Sequence, residues 1–155
     1  MMKIVRICFF FLVMLPFILF LSCKKDKGGS GTKTSSYTDN SSHNVGTSCM
    51  SCHSSGSSNQ YWWVVAGTVY KPDSTDLSPN STIYLFTAVN GGGSLVLTLP
   101  ADEKANFYTT SSVNFGTGLY PEVKGLTGEV KYMQESTTVG NCNSCHNVSN
   151  RIMVN

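Results

Sequence analysis

Two short stretches place a cysteine pair directly before a histidine: Cys49-Met50-Ser51-Cys52-His53 and Cys142-Asn143-Ser144-Cys145-His146. Each is a C-x-x-C-H, the spacing at which a c-type haem is attached. The pattern follows from the chemistry. Two thiols add across the two vinyl groups of one porphyrin, and two intervening residues set the separation that a single loop of backbone can span. The next residue then lies where its imidazole reaches the iron. One such motif is a weak signal, but two in a chain of 155 residues are hard to attribute to chance. Cys49, Cys52, Cys142 and Cys145 are therefore expected to carry two covalently bound haems c, with His53 and His146 as proximal iron ligands.

The sixth ligands are less constrained. One further histidine exists, His43, six residues before Cys49. It is the first distal candidate, for the nearer haem or the other one. The second haem must then use methionine, a weaker ligand or an open position. Met133 is the methionine candidate, nine residues before Cys142 at the end of a predicted strand. Met50 sits inside its own motif on the proximal side, and Met153 follows His146. A methionine is more often packing material than a ligand. The choice matters because thioether ligation raises the potential relative to a second imidazole. Arg151 is a candidate partner for a propionate. Tyr61, Trp62 and Trp63 follow the first motif and either shield a haem edge or pack in a sheet.

These residues need elements to position them. Lys3 and Arg6 precede an apolar run from Ile7 to Leu21 broken by Pro16, the anatomy of an export leader. That run is shorter than the ~20 apolar residues a spanning helix needs. Residues 24–42 are almost entirely Lys, Gly, Ser, Thr, Asp and Asn, a composition expected of a flexible linker that begins at Cys23. From Tyr61 onward the pattern is β. The predicted strands are 61–71, 82–89, 95–99, 106–109, 120–124 and 129–133, and Asn90-Gly91-Gly92-Gly93 reads as a hairpin turn. No long stretch has helical periodicity. The expected fold is mainly β: a small antiparallel β-sandwich over about 61–133, flanked by two short irregular or helical-turn haem-binding peptides at 49–53 and 142–146. The whole dihaem domain is expected to span 43–155. With all six cysteines accounted for, no disulfide framework is expected. The formal charge of +2 includes the two leader cations, and no basic patch points to nucleic acid.

Three resemblances extend this. Phe20-Leu21-Ser22-Cys23 resembles a bacterial lipobox, which implies cleavage of residues 1–22 and a lipid on the Cys23 thiol. His43-Asn44-Val45-Gly46-Thr47-Ser48-Cys49 resembles the H-N-x-G-x-x-C lead-in of multihaem cytochromes. Val65-Ala66-Gly67-Thr68-Val69, Ile83-Tyr84-Leu85 and Asn106-Phe107-Tyr108-Thr109 resemble the carboxypeptidase regulatory-like or prealbumin-like β-sandwich domains, although Asp102 to Asn106 lacks their usual turn glycine. Together they imply a dihaem c-type cytochrome lipoprotein of the cell envelope, at the outer membrane and facing the periplasm or the cell surface. Its partners would be redox proteins and the bilayer. The expected function is electron transfer rather than catalysis. The alternatives are a β-sandwich binding lipoprotein whose four motif cysteines hold a structural zinc ion, and a small dihaem peroxidase or reductase.

Overall fold

Seven short strands and almost no helix make up the described chain, residues 31–73 and 75–155 of a computed structural model. The strands are β1 Val65–Tyr70, β2 Thr82–Ala88, β3 Gly92–Pro100, β4 Asn106–Thr109, β5 Tyr120–Lys124, β6 Val130–Tyr132 and β7 Ile152–Met153. A 3-10 turn covers Cys49–Ser51 and a single helical turn, α1, covers Cys142–Cys145. The leader over 1–22, the lipidation candidate Cys23 and the first part of the linker lie outside the described residues. Among the described residues no helix is long and apolar enough to cross a membrane.

The strands form two sheets, β4-β1-β7 and β3-β2-β5-β6. The pairings between these strands are antiparallel except that of β1 with β7. The expected mainly β, sandwich-like architecture is therefore observed, with a helical turn at each C-x-x-C-H. Alternation explains the second sheet: Ile83 and Leu85 of β2 point inward while Tyr84 and Phe86 are only partly covered. Their inward row meets Val65, Val69 and Phe107 of the first sheet, and Leu99, Val123 and Val154 complete the core. Phe107 is 1% exposed, so its ring alone contributes roughly 1.5–3 kcal/mol of burial. Asn90 and Gly91 both take positive φ (55° and 70°) and turn β2 back into β3 as a primed hairpin turn demands.

Three differences from the sequence expectation have local causes. The strand expected over 61–71 starts only at Val65, because the Trp63 amide donates to the His53 carbonyl (2.9 Å) and holds 61–63 against the first motif. The part of the expected flexible linker that is described is tied down instead. Ser35 N donates to Tyr108 O (2.9 Å), Thr110 N donates to Lys33 O (2.9 Å), and Tyr37 shares a hydrogen bond with Thr82 (2.6 Å). Residues 33–35 thus cover the outer edge of β4, satisfying backbone groups that would otherwise be exposed. Composition favoured a linker there because hydroxyls, not apolar side chains, make these contacts. Finally, the turn that lacks its glycine uses Ala105 at φ 59°, held by Ala105 N to Asp102 O (2.9 Å) and by the Asp102 carboxylate accepting from Asn106 N (3.0 Å).

Candidate functional site

β1 is the element on which both motifs are built. All six of its residues are buried. One edge pairs with β4, and the amides of Ala66 and Thr68 point to the other. There Ala66 N donates to Gly140 O (2.9 Å), Thr68 N donates to Oδ1 of Asn143 (3.0 Å), and Val154 N donates to Tyr70 O (2.9 Å). The second motif therefore lies along the strand edge just ahead of β7. Gly140 permits this approach: a Cβ there would overlap the Val64 carbonyl oxygen. Gly67 permits it from the strand side, since a Cβ would overlap the Phe107 ring and meet Cys142 Cβ at 3.0 Å.

The first motif reaches the same strand through its lead-in. Asn44 (φ 52°) and Gly46 (φ 76°) both take left-handed conformations, which suits Asn and Gly. Gly46 N then donates to Thr68 Oγ1 (3.1 Å), and a Cβ on Gly46 would collide with the Tyr70 hydroxyl. Lys104 Nζ on Ser42 O (2.7 Å) and Asn106 Nδ2 on Ser42 Oγ (2.9 Å) fix the chain directly before His43.

The two motif histidines are held alike. Nδ1 of His53 lies 3.0 Å from Tyr61 O, and Nδ1 of His146 lies 2.8 Å from Asn150 O. A carbonyl only accepts, so Nδ1 carries the proton in each neutral ring and Nε2 carries the lone pair. A hydrogen bond from the far ring nitrogen to a carbonyl is what fixes the tautomer and orientation of a metal-binding imidazole. His53 is buried, and its ring centroid lies 4.9 Å from Trp63, which in turn stacks on Tyr61 (5.7 Å) and contacts Tyr108 (4.7 Å). Trp62 is 50% exposed and takes no part in that stack. His43 comes to its nearer motif: its ring centroid is 5.9 Å from that of His53. Two imidazoles joined to one metal at ~2 Å per bond have centroids roughly 6 Å apart.

Beside the second motif lies an apolar cavity of about 580 Å³, within the roughly 300–1,000 Å³ of cofactor sites. Cys142, Cys145 and His146 line it together with the core residues Ile83, Leu85 and Phe107. Met133 and Met153 both line it. Arg151 lines it too, with its guanidinium 4.2 Å over the Tyr70 ring.

The thiols differ in setting. Burial pushes Cys142 up to about 12, and the neighbouring Cys49 and Cys145 sulfurs add to the shift. Burial likewise raises Cys49. Cys49, Cys142 and Cys145 are free, but Cys52 is disulfide-bonded. That departs from the expectation that no cysteine pairs. A thiol in a disulfide cannot also form a thioether, so the two fates of Cys52 are alternatives and attachment requires it reduced. The four-cysteine zinc alternative gains nothing from the geometry: among the described residues no group of three or more His, Cys, Asp or Glu is placed to hold a metal ion.

Several residues at the site carry no signal in the sequence. Thr68, Asn106 and Asn141 are ordinary polar residues until the fold brings them together, and Asn143 occupies a motif position that any residue can fill. Comparison of the chain with family models, with curated proteins and with solved structures finds no match.

Proposed function

We propose that the chain is an electron carrier of the cell envelope with two covalently attached haems c, one at Cys49, Cys52 and His53 and one at Cys142, Cys145 and His146. The observation that carries this is the matched anchoring of His53 and His146, each with Nδ1 on a main-chain carbonyl, the contact that orients a coordinating imidazole. A chance histidine after a cysteine pair has no reason to be held that way twice. The haems supply reversible one-electron chemistry, and the protein supplies ligation, orientation and dielectric.

His43 is the distal ligand we assign to the first haem, on its 5.9 Å approach to His53. For the second haem the assignment is Met133, with Met153 the other methionine of the same cavity. Arg151 offers that haem's propionates a cation. A His/His site next to a His/Met site would hold two potentials, the second the higher. Lipidation at Cys23 would tether the carrier to the bilayer, at the outer membrane, where it would meet partner redox proteins. Turnover is not part of the proposal.

The test is a pyridine haemochrome titration on washed, denatured protein made with haem-maturation machinery, followed by spectra of two variants. Two haems per chain are expected. His43→Ala should convert one of the two from low spin to high spin, and Met133→Ala should remove the sulfur-to-iron charge-transfer band of the other. Absence of covalent haem would refute the proposal.

A further inference from the structure

The side chain of Asn143 does something that haem attachment alone does not require. It is buried, and both amide hydrogens and the carbonyl oxygen are hydrogen-bonded. Oδ1 accepts from Thr68 N (3.0 Å), while Nδ2 donates to Thr68 Oγ1 (3.1 Å) and to Thr47 O (2.8 Å). The amide orientation is forced, because Thr68 N only donates and Thr47 O only accepts. Asn143 is therefore a member of the second motif that binds the main chain two residues before Cys49 of the first. Thr68 Oγ1 closes the ring by accepting from Gly46 N (3.1 Å) and donating to Asn106 Oδ1 (2.6 Å). A second link runs parallel to it: Asn141 Nδ2 donates to Ser48 Oγ (3.1 Å), joining the residues immediately before Cys142 and Cys49.

We infer that Asn143 is a positioning residue that locks the two haem-attachment loops together on β1, so that the two haems form one spin-coupled pair and not two independent centres. The inference rests on the dihaem reading and adds to it a stated neighbour for each haem and the group that sets their separation. Both cross-links end within two residues of an attachment cysteine on each side, so the attachment points have little freedom to move apart. They are also cross-links between segments far apart in sequence, from 47 to 143 and from 48 to 141. A polar network with every member satisfied is rigid, and loss of one member loosens the rest.

The experiment uses the full-length holoprotein. Haem content is counted first, and the magnetic interaction between the two ferric haems is then measured by electron paramagnetic resonance. The variants are Asn143→Asp and the double variant Ser48→Ala/Asn141→Ala. The aspartate keeps the acceptor for Thr68 N but sets a carboxylate oxygen against Thr47 O, so it cuts the cross-link at nearly constant shape. The double variant removes the parallel link at partly exposed positions and serves if the aspartate prevents folding.

The expected result is two haems in every form, a clear interaction in the unsubstituted protein, and at least a twofold loss of it in the variants. A merely structural asparagine would change stability and leave the interaction as it was. Two haems without any interaction would overturn this inference while leaving the carrier function intact, as would an interaction unchanged in both variants. Fewer than two haems in the unsubstituted chain would overturn the dihaem reading itself, and this inference with it.

Discussion

Gly67 stands where the core and the second attachment loop press on the same strand, and its replacement by alanine tests that packing directly. An added Cβ would overlap Cζ of Phe107, and would lie 2.8 Å from Cε1 of the same ring and 3.0 Å from Cys142 Cβ. None of these can yield cheaply. Phe107 is 1% exposed and wedged in the core, and Cys142 is fixed by the strand-edge bonds of Gly140 and Asn143. Overpacking of this kind costs about 1–3 kcal/mol. With an m-value of roughly 2 kcal/mol/M in urea, the midpoint of Gly67→Ala should fall by about 0.5–1.5 M. A double-mutant cycle isolates the cause, since leucine has no atoms where Cζ and Cε1 of Phe107 sit. In a Phe107→Leu background the Gly67→Ala penalty should drop by at least half, an interaction energy of about 0.5–1.5 kcal/mol. Equilibrium unfolding followed by tryptophan fluorescence reads all four proteins. A Gly67→Ala midpoint equal to that of the parent would refute the contact, and an undiminished penalty in the Phe107→Leu background would assign the strain elsewhere.

Two further outcomes concern the segment that covers the edge of β4. Ser35→Ala removes a buried hydroxyl that donates to Pro100 O (2.7 Å) and accepts from Tyr108 N (3.0 Å), leaving both main-chain groups short of a partner. It should destabilise the protein by about 1–3 kcal/mol in urea unfolding, against the few tenths expected if residues 33–42 were a free linker. The second is a pH dependence. Burial raises the Asp39 carboxyl, but the Tyr108 hydroxyl at 2.5 Å, the Ser41 amide and Lys33 outweigh it and hold the group below its usual value. A depressed folded-state value stabilises above the unfolded pKa of about 3.9 and is lost as pH falls through the folded one. Hydrogen exchange of residues 33–42, corrected for intrinsic rates, should therefore accelerate below about pH 4, and Asp39→Asn should remove that acid-dependent step.

What the sequence determined by itself is the chemistry of the two motifs and the β character of the chain between them. Both are written locally. A C-x-x-C-H needs only consecutive residues, and alternation in 82–88 or a turn at Asn90-Gly91 needs only near neighbours. The strands at Asn106–Thr109 and Tyr120–Lys124 were legible to the residue for the same reason. The first motif's lead-in was also visible, though its physical basis, two left-handed residues that bring Gly46 onto Thr68, was not. Only the tertiary structure decided which motif His43 approaches, that Met133 and Met153 share one cavity, and that 33–42 is docked. The two-residue strand β7 and the Asn143–Thr68–Thr47 cross-link were out of reach as well. Each of these depends on a contact between segments separated along the chain, most of them made by hydroxyls, amides and main-chain groups. Such groups have no periodicity and pair with whatever the fold presents, so their partners exist only once β1 has been placed.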